Sequence, residues 1–387
     1  MTSVTLLSHG FQAEYEIGFA NGVARNGTDV TLIGSDNTLV KRAANGVKVT
    51  NLRGSQATDR PTLSKVFNLT RYIVRYLLHL ALRRGQAVHL IGMFSTRSTV
   101  MSLIEAWLTR LVAGRYVLTV HNLLPHDSHT AFNRWAFGLL YRAPGRLVVH
   151  TQRMAEALAQ DFGIQPARIL VVEHGIDRFF TPNAELRASW RAEHGIPAQA
   201  KVALLFGMVA RYKGPDLLLR AFESAGNDRN VYLVIAGRCR DAALRDEMNN
   251  MLATHPYRAR IIWRDAFVPD GEVERLMQGC DCMVMPYRHI DQSGVLFMAL
   301  SSGLRMVATD VGSFAAYIHP GAGEIVAVGD MAAFSSAMTR QLSNTSSLTR
   351  EHLMTAAARY EWRNTSRTLS VLYAGEGSLS TNSKDIS

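Results

Sequence analysis

The chain has 387 residues, 47% of them hydrophobic and 19% charged, with 29 glycines and 11 prolines. At roughly 150 residues per domain this is enough for two domains with proper cores, and the composition excludes intrinsic disorder, collagen and low-complexity classes. The three cysteines, Cys239, Cys280 and Cys282, are too few for a disulfide scaffold and lack the paired spacing of a zinc site, so a reducing compartment is expected.

The formal charge of +10 is one-sided: residues 1–180 hold 20 Lys+Arg against 11 Asp+Glu, the remainder 22 against 21. A basic first half implies an anionic partner there, whether nucleic acid, a membrane surface or a phosphorylated substrate. The opening MTSVTLLSHGFQAEYE has no basic leader followed by a long apolar core, and no run reaches about 18 apolar residues. A cytoplasmic location is therefore expected.

Short β-branched apolar runs recur along the first half at 4–10, 30–34, 87–93, 116–122, 146–151 and 169–175. After a break they resume at 202–209, 231–237, 260–266, 282–287, 305–312 and 324–330. Helical stretches such as Ala13–Arg25 and Pro215–Ala225 lie between them. Continuous apolar strands alternating with helices predict parallel sheets covered on both faces, an α/β fold of two Rossmann-like doubly wound domains. The irregular, polar stretch 176–200 marks the boundary. Expected bounds are 1–178 for the first domain, 179–360 for the second, 361–375 for a terminal helix and 376–387 for a Ser/Gly-rich mobile tail.

The segment 65–84, KVFNLTRYIVRYLLHLALRR, sets Arg71, Arg75, Arg83 and Arg84 beside a run of leucines and valine, the pattern of a helix that lies in a lipid headgroup layer or packs a domain with its arginines reaching water. NRWAFGLLYRAPGR at 133–146 has the same character. Basic clusters interleaved with stacking aromatics are missing, so nucleic acid is not expected.

Ligands of open parallel sheets bind beyond the carboxyl ends of strands. The first strand ends in Ser8-His9-Gly10 without a GxGxxG fingerprint, which argues against a dinucleotide oxidoreductase. The strand at 116–122 runs into HNLLPHD. That places His121 at its tip, able to donate to a sugar hydroxyl or phosphate, with Asp127 beyond as a base or orienting group. In FGMVARYKGPDLLLRAF a strand meets a helix through Arg211, Lys213 and Gly214, two cations and a close-approach glycine suited to a pyrophosphate. In MPYRHIDQSGVLFMALSSGLRMVATDVGS, Ser293-Gly294-Val295 opens a helix whose free N–H groups make an anion site, and Asp291 and Gln292 are poised to read hydroxyls. Ser293 is also a possible N-cap, which is compatible with both roles.

Taken in order, TVHNLLPHD, VVHTQRMAEAL, ILVVEHGIDRFFTP, ARYKGPDLLLRAF, CDCMVMPY and SGVLFMALSSGLRMVATDVGS resemble the GT-B glycosyltransferases of the family 4 type, from about residue 116 to 330. Trp362 with Tyr373 is similar to the family's terminal helix, which crosses back to the N-terminal domain. The resemblance implies two domains facing a cleft, the second holding a nucleotide sugar and the first an acceptor. It implies that Arg211 and Lys213 stabilise the departing diphosphate, that the backbone of Ser293, Gly294 and Val295 contacts its phosphates and that His121 lies against the donor sugar; Gly10, ending the first strand, is a further candidate donor-binding residue. It further implies retention of configuration with no metal or other cofactor, since no DxD-like motif is present. Two departures stand out: Ile290 and Met298 occupy the places of the family's paired glutamates, and only one residue separates Arg211 from Lys213.

The expected function is transfer of a hexosyl or hexuronosyl group from a nucleotide sugar, UDP-linked rather than GDP-linked. The acceptor is a polyprenyl-diphosphate-linked saccharide of cell-surface glycan synthesis, met at the anionic inner face of the membrane by a peripherally attached enzyme. The alternatives are a sugar-nucleotide epimerase on the same fold and a non-catalytic nucleotide-sugar-binding partner of another transferase.

Overall fold

The computed structural model describes residues 2–10, 12–56, 61–93, 99–124, 130–343 and 348–375. The chain divides into two units, residues 1–177 with 359–387 and residues 178–358.

The first unit is built on strands β1 (Ser3–Leu7), β2 (Asp29–Gly34), β3 (Val47–Asn51), β4 (Ala87–Leu90), β5 (Arg115–Thr119), β6 (Arg146–Val149) and β7 (Ile169–Val171). They form one parallel sheet in the order β3-β2-β1-β4-β5-β6-β7. Its helices are α1 (Ala13–Arg25), α2 (Thr62–Ala81), α3 (Thr99–Val112), α4 (Ala131–Leu140) and α5 (Gln152–Phe162). Alternation along the strands divides the core in two. Leu7, Val88, Leu90, Leu118 and Val149 face α2 to α5, while Leu6, Ala87, Val117 and Val148 face α1.

The second unit carries β8 (Lys201–Phe206), β9 (Val231–Ala236), β10 (Ile261–Arg264), β11 (Cys282–Met285), β12 (Arg305–Thr309) and β13 (Gly323–Val326), also parallel, in the order β10-β9-β8-β11-β12-β13. Around it lie α6 (Ala184–Glu193), α7 (Pro215–Ala225), α8 (Ala242–Thr254), α9 (Asp270–Gly279), α10 (Gly294–Ser301), α11 (Phe314–Tyr317), α12 (Met331–Ser343) and α13 (Arg350–Ala357).

The chain then returns to the first unit as two helices, α14 (Trp362–Thr365) and α15 (Arg367–Ala374), where one helix over 361–375 was expected. The break falls at Ser366, which stands at the N-cap position of α15 without a capping bond and donates its hydroxyl to the Trp362 carbonyl instead. The return is pinned by Ile176 N–H donating to Tyr360 O at 2.7 Å and Trp362 N–H donating to Ile176 O at 3.1 Å. The helix suggested at 133–146 is likewise shorter: α4 stops at Leu140, and Pro144-Gly145 turns the chain into β6. The expected tail at 376–387 lies outside the described residues.

Candidate functional site

In each sheet the strand order reverses once, and a crevice forms beyond the strand ends at that point. In the second unit the reversal lies between β8 and β11. β8 ends in Phe206-Gly207, and a 3₁₀ turn at Arg211–Lys213 leads through Gly214 into α7. Gly214 has φ +66°, and a β-carbon there would lie 2.2 Å from the Pro286 carbonyl, so only glycine lets this turn pass the end of β11.

The turn drives Lys213 inward. Its side chain is buried, its Nζ donates to the Phe206 carbonyl at 3.0 Å, and the ammonium stands 5.6 Å over the Tyr287 ring. Burial pushes its pKa down to about 8. A β-carbon on Gly207 would come within 2.9 Å of Nζ and 3.4 Å of Val295 Cγ2, so the ammonium and the first turn of α10 converge on this glycine.

Ser293 occupies the N-cap position of α10 and is buried, yet its side chain makes no capping hydrogen bond. The helix dipole is therefore left for another anion. A β-carbon on Gly294 would meet open space. Next to this turn, Gln292 Nε2 is buried with no hydrogen-bond partner among the described residues, and so is Ser313 Oγ on the neighbouring loop. The backbone of Asp291 packs against Gly312, where a β-carbon would lie 2.6 Å from the Asp291 carbonyl. Lys213, Gln292, Ser293, Gly294 and Val295 thus share one electropositive end of the sheet.

Arg211 is arranged differently. Its guanidinium is exposed and donates to Glu247 of α8 at 2.9 Å, which raises its pKa further, while its carbonyl accepts from Arg288 at 2.6 Å. Arg288 also grips Asp216 with both terminal nitrogens, at 3.0 and 2.6 Å. Burial alone would raise the Asp216 pKa; hydrogen bonding and charge from Arg288 outweigh it and hold the carboxyl ionised below its usual range. This Arg288–Asp216 clasp, which sequence reasoning missed, ties the start of α7 to the end of β11. Its one sequence trace is an acid in the first turn of a helix and an arginine after a strand.

In the first unit the reversal lies between β1 and β4. Beyond these ends is a cavity of about 120 Å³ lined by residues that include Ser8, Tyr15, Ile91, Gly92 and His121. His121 Nε2 is 2.8 Å from the Ile91 carbonyl, and its ring meets Tyr15 edge-on at 4.8 Å and lies 5.3 Å from His150. Burial lowers its pKa, which keeps the ring neutral. A carbonyl can only accept, so Nε2 carries the proton of the neutral ring and Nδ1 is left with a lone pair able to accept a hydrogen bond. Asp127 and His126 lie outside the described residues.

Gly10 has φ +69°, donates its N–H to Ser8 Oγ at 3.1 Å, and would place a β-carbon 2.1 Å from Ser35 Oγ. Ser8 in turn donates to Glu16, which Thr38 also reaches at 2.5 Å; burial pushes Glu16 up to about 7. His9, the one non-glycine of positive φ among the described residues, sets its ring between Tyr72 and Glu105. Of these residues the sequence singled out Gly10 at the end of the first strand; the roles of Glu16, Thr38, Tyr72 and Glu105 were not read from it, because they depend on which side chains the fold brings together.

Two family models match complementary stretches: Glycosyltransferase Family 4 over residues 15–199 and Glycosyl transferases group 1 over residues 187–360. The chain belongs to the GT-B glycosyltransferases. A D-inositol 3-phosphate glycosyltransferase of Corynebacterium urealyticum is 30% identical to this chain over 237 residues, 59% of this chain and 56% of that protein. The chain thus spans little more than half the length of such curated relatives. Among solved structures, HepE of Anabaena in complex with UDP superposes with TM-score 0.69 at 15% identity, covering 97% of this chain and 100% of that one. WaaG, a glycosyltransferase involved in lipopolysaccharide biosynthesis, gives 0.64 at 16%, covering 97% and 100%. At these identities the likeness establishes the fold of this GT-B chain.

Proposed function

We propose that this protein transfers a sugar from a UDP-linked donor to a lipid-linked saccharide acceptor in cell-surface glycan synthesis, with retention of configuration and without a metal ion. The observation that carries the donor half is the convergence of the buried Lys213 ammonium and the uncapped start of α10 on Gly207. A departing diphosphate gathers charge as the glycosidic bond breaks, and fixed cationic groups facing that charge lower the barrier. Lys213 supplies one positive charge, Ser293, Gly294 and Val295 supply N–H groups, and Arg211 reaches the same diphosphate when it leaves Glu247. His121 Nδ1 accepts a hydrogen bond from a donor-sugar hydroxyl and so orients the sugar. The UDP bound in the HepE structure supports the choice of base.

The acceptor half rests on the charge of residues 1–180 and on α2, whose exposed arginines suit an anionic acceptor at the inner face of the membrane. The attachment proposed is peripheral; among the described residues no helix is long and apolar enough to cross a membrane. The deciding experiment incubates labelled UDP- and GDP-sugars with no acceptor, with a polyprenyl-diphosphate-linked saccharide, and with inositol 3-phosphate. Transfer from a UDP-sugar to the lipid-linked saccharide alone is expected. Conversion of the donor without acceptor points to an epimerase, and transfer only to the inositol phosphate replaces the acceptor class.

A further inference from the structure

Four helices cover one face of the first unit's sheet: α2 buries Tyr72 and Tyr76 there, α3 Ala106, α4 Leu140 and Tyr141, and α5 Leu158. With those sides held against the strands, their opposite sides form the outer surface of the layer, and α3 packs against both α2 and α4. α5 is an ordinary helix in water, exposing Gln152, Arg153, Glu156, Gln160 and Asp161. Its three neighbours are not. Leu78 is 53% exposed and Leu82 79%, Trp107 44% and Leu111 68%, Phe132 54% and Trp135 60%. Eleven of the seventeen exposed large apolar side chains among the described residues fall between positions 67 and 135, on these three helices and at the end of α2, a concentration rather than the scatter every protein carries.

Charge follows the same division. In the 20, 14 and 10 residues of α2, α3 and α4 the single carboxylate is Glu105, which is buried. Arg71, Arg75, Arg110 and Arg134 are exposed. We infer that this three-helix face docks on an anionic lipid bilayer, with Trp107 and Trp135 at headgroup level, the aliphatic side chains of α2 and α3 in the acyl boundary, and the arginines against lipid phosphates. Tryptophan suits that depth because its ring is apolar and its N–H is polar, and arginine extends its stem over apolar surface while its head stays with the phosphates. A second copy of the chain is a poorer occupant: two-fold pairing sets arginine against arginine, with no exposed carboxylate on α2 to α4 to answer. The inference rests on the membrane attachment proposed above and deepens it, from one helix to a layer of three with named aromatic anchors.

The test is flotation of the full-length protein with vesicles of phosphatidylcholine alone or mixed with phosphatidylglycerol, at about 0.1 M and about 1 M salt. The wild type is expected to float with the anionic vesicles at low salt and to be released at high salt. Trp107→Ser/Trp135→Ser and Leu78→Ser/Leu82→Ser should each cut partitioning at least about tenfold, with unchanged melting temperature and donor binding. Arg71→Glu/Arg75→Glu should do the same without removing any apolar side chain. Wild-type flotation that all three variants match overturns this face as the docking surface while leaving membrane attachment in place. A wild type indifferent to anionic vesicles overturns both, and sugar transfer to a soluble acceptor then scores the transferase reading separately. Variants that dissociate an oligomer yet float normally assign the face to a second copy and overturn the inference.

Discussion

The Lys213 ammonium donates to the Phe206 carbonyl at 3.0 Å from a place where a β-carbon on Gly207 would come within 2.9 Å of it. A lysine buried there has its pKa lowered to about 8 from 10.5. Between those values the unfolded chain binds a proton that the fold does not, so stability rises with pH through that window. At neutral pH the buried charge costs up to about 3 kcal/mol. Lys213→Met is therefore expected to raise unfolding stability at pH 7 by about 1–3 kcal/mol in urea titrations and to lower sugar transfer at least about 100-fold. An anion in the site restores the charge, so donor binding near about pH 8.5 should take up a fraction of a proton, read by calorimetry in buffers of differing ionisation enthalpy. A destabilised Lys213→Met protein with intact transfer is the contrary result.

Arg211 and Glu247 make an exposed pair, and in the proposed reading Glu247 competes with the donor diphosphate for that guanidinium. Glu247→Gln keeps the size of the side chain and weakens that competition. The expected outcome is a donor KM lowered about 2- to 5-fold with unfolding stability indistinguishable from wild type, because exposed pairs add little. An unchanged KM in Glu247→Gln, together with full activity in Arg211→Ala, removes Arg211 from the donor site.

Four histidines of the first unit are held neutral. Burial lowers His89 and His174 to about 3, lowers His150 well below its ordinary value, and lowers His121. The unfolded chain protonates them near 6.5, so stability is full above that pH and is lost as pH falls toward 3. Glu16, raised to about 7, works in the opposite sense between about 4.5 and 7, since the fold retains its proton there. His79 is lowered as well and Glu173 raised, and the histidines outnumber the carboxyls, so a net loss of stability is expected as pH falls from about 6 to 5, measured by urea unfolding across that range. A flat profile there contradicts the neutral cluster.

Strands with continuous apolar runs were legible because a parallel sheet buries both faces of every central strand. β3 was not: VKVTN alternates, with Val47 and Val49 packed on the core and Lys48 exposed, as befits the edge of the sheet. The 213–214 Lys-Gly pair and the Ser293 helix start could be read because turn chemistry is local. The Glu247 partner of Arg211, the Arg288–Asp216 clasp and the His9–Glu105 pair could not, since sequence spacing says nothing about which side chains the topology brings together over 36, 72 or 96 positions. The tautomer of His121 depends on the Ile91 carbonyl on the adjacent strand, which the sequence places but does not aim.

Trp362 is 2% exposed, meets Tyr15 and Phe19 edge-on at 5.2 and 5.1 Å, and presses on three glycines. A β-carbon on Gly175 would lie 2.2 Å from its ring, whereas one on Gly22 would lie 2.6 Å from its backbone and β-carbon. Trp362→Ala should cost about 3–5 kcal/mol through the cavity it leaves, and Gly175→Ala or Gly22→Ala about 1–3 kcal/mol each through overpacking. The two glycines differ in how they couple to the tryptophan. Removing the ring makes room beside Gly175, so Gly175→Ala should add almost nothing to Trp362→Ala; it leaves the crowding at Gly22 in place, so Gly22→Ala should add its full cost. Double-mutant cycles from urea unfolding separate the two cases, and equal coupling at both glycines contradicts this packing.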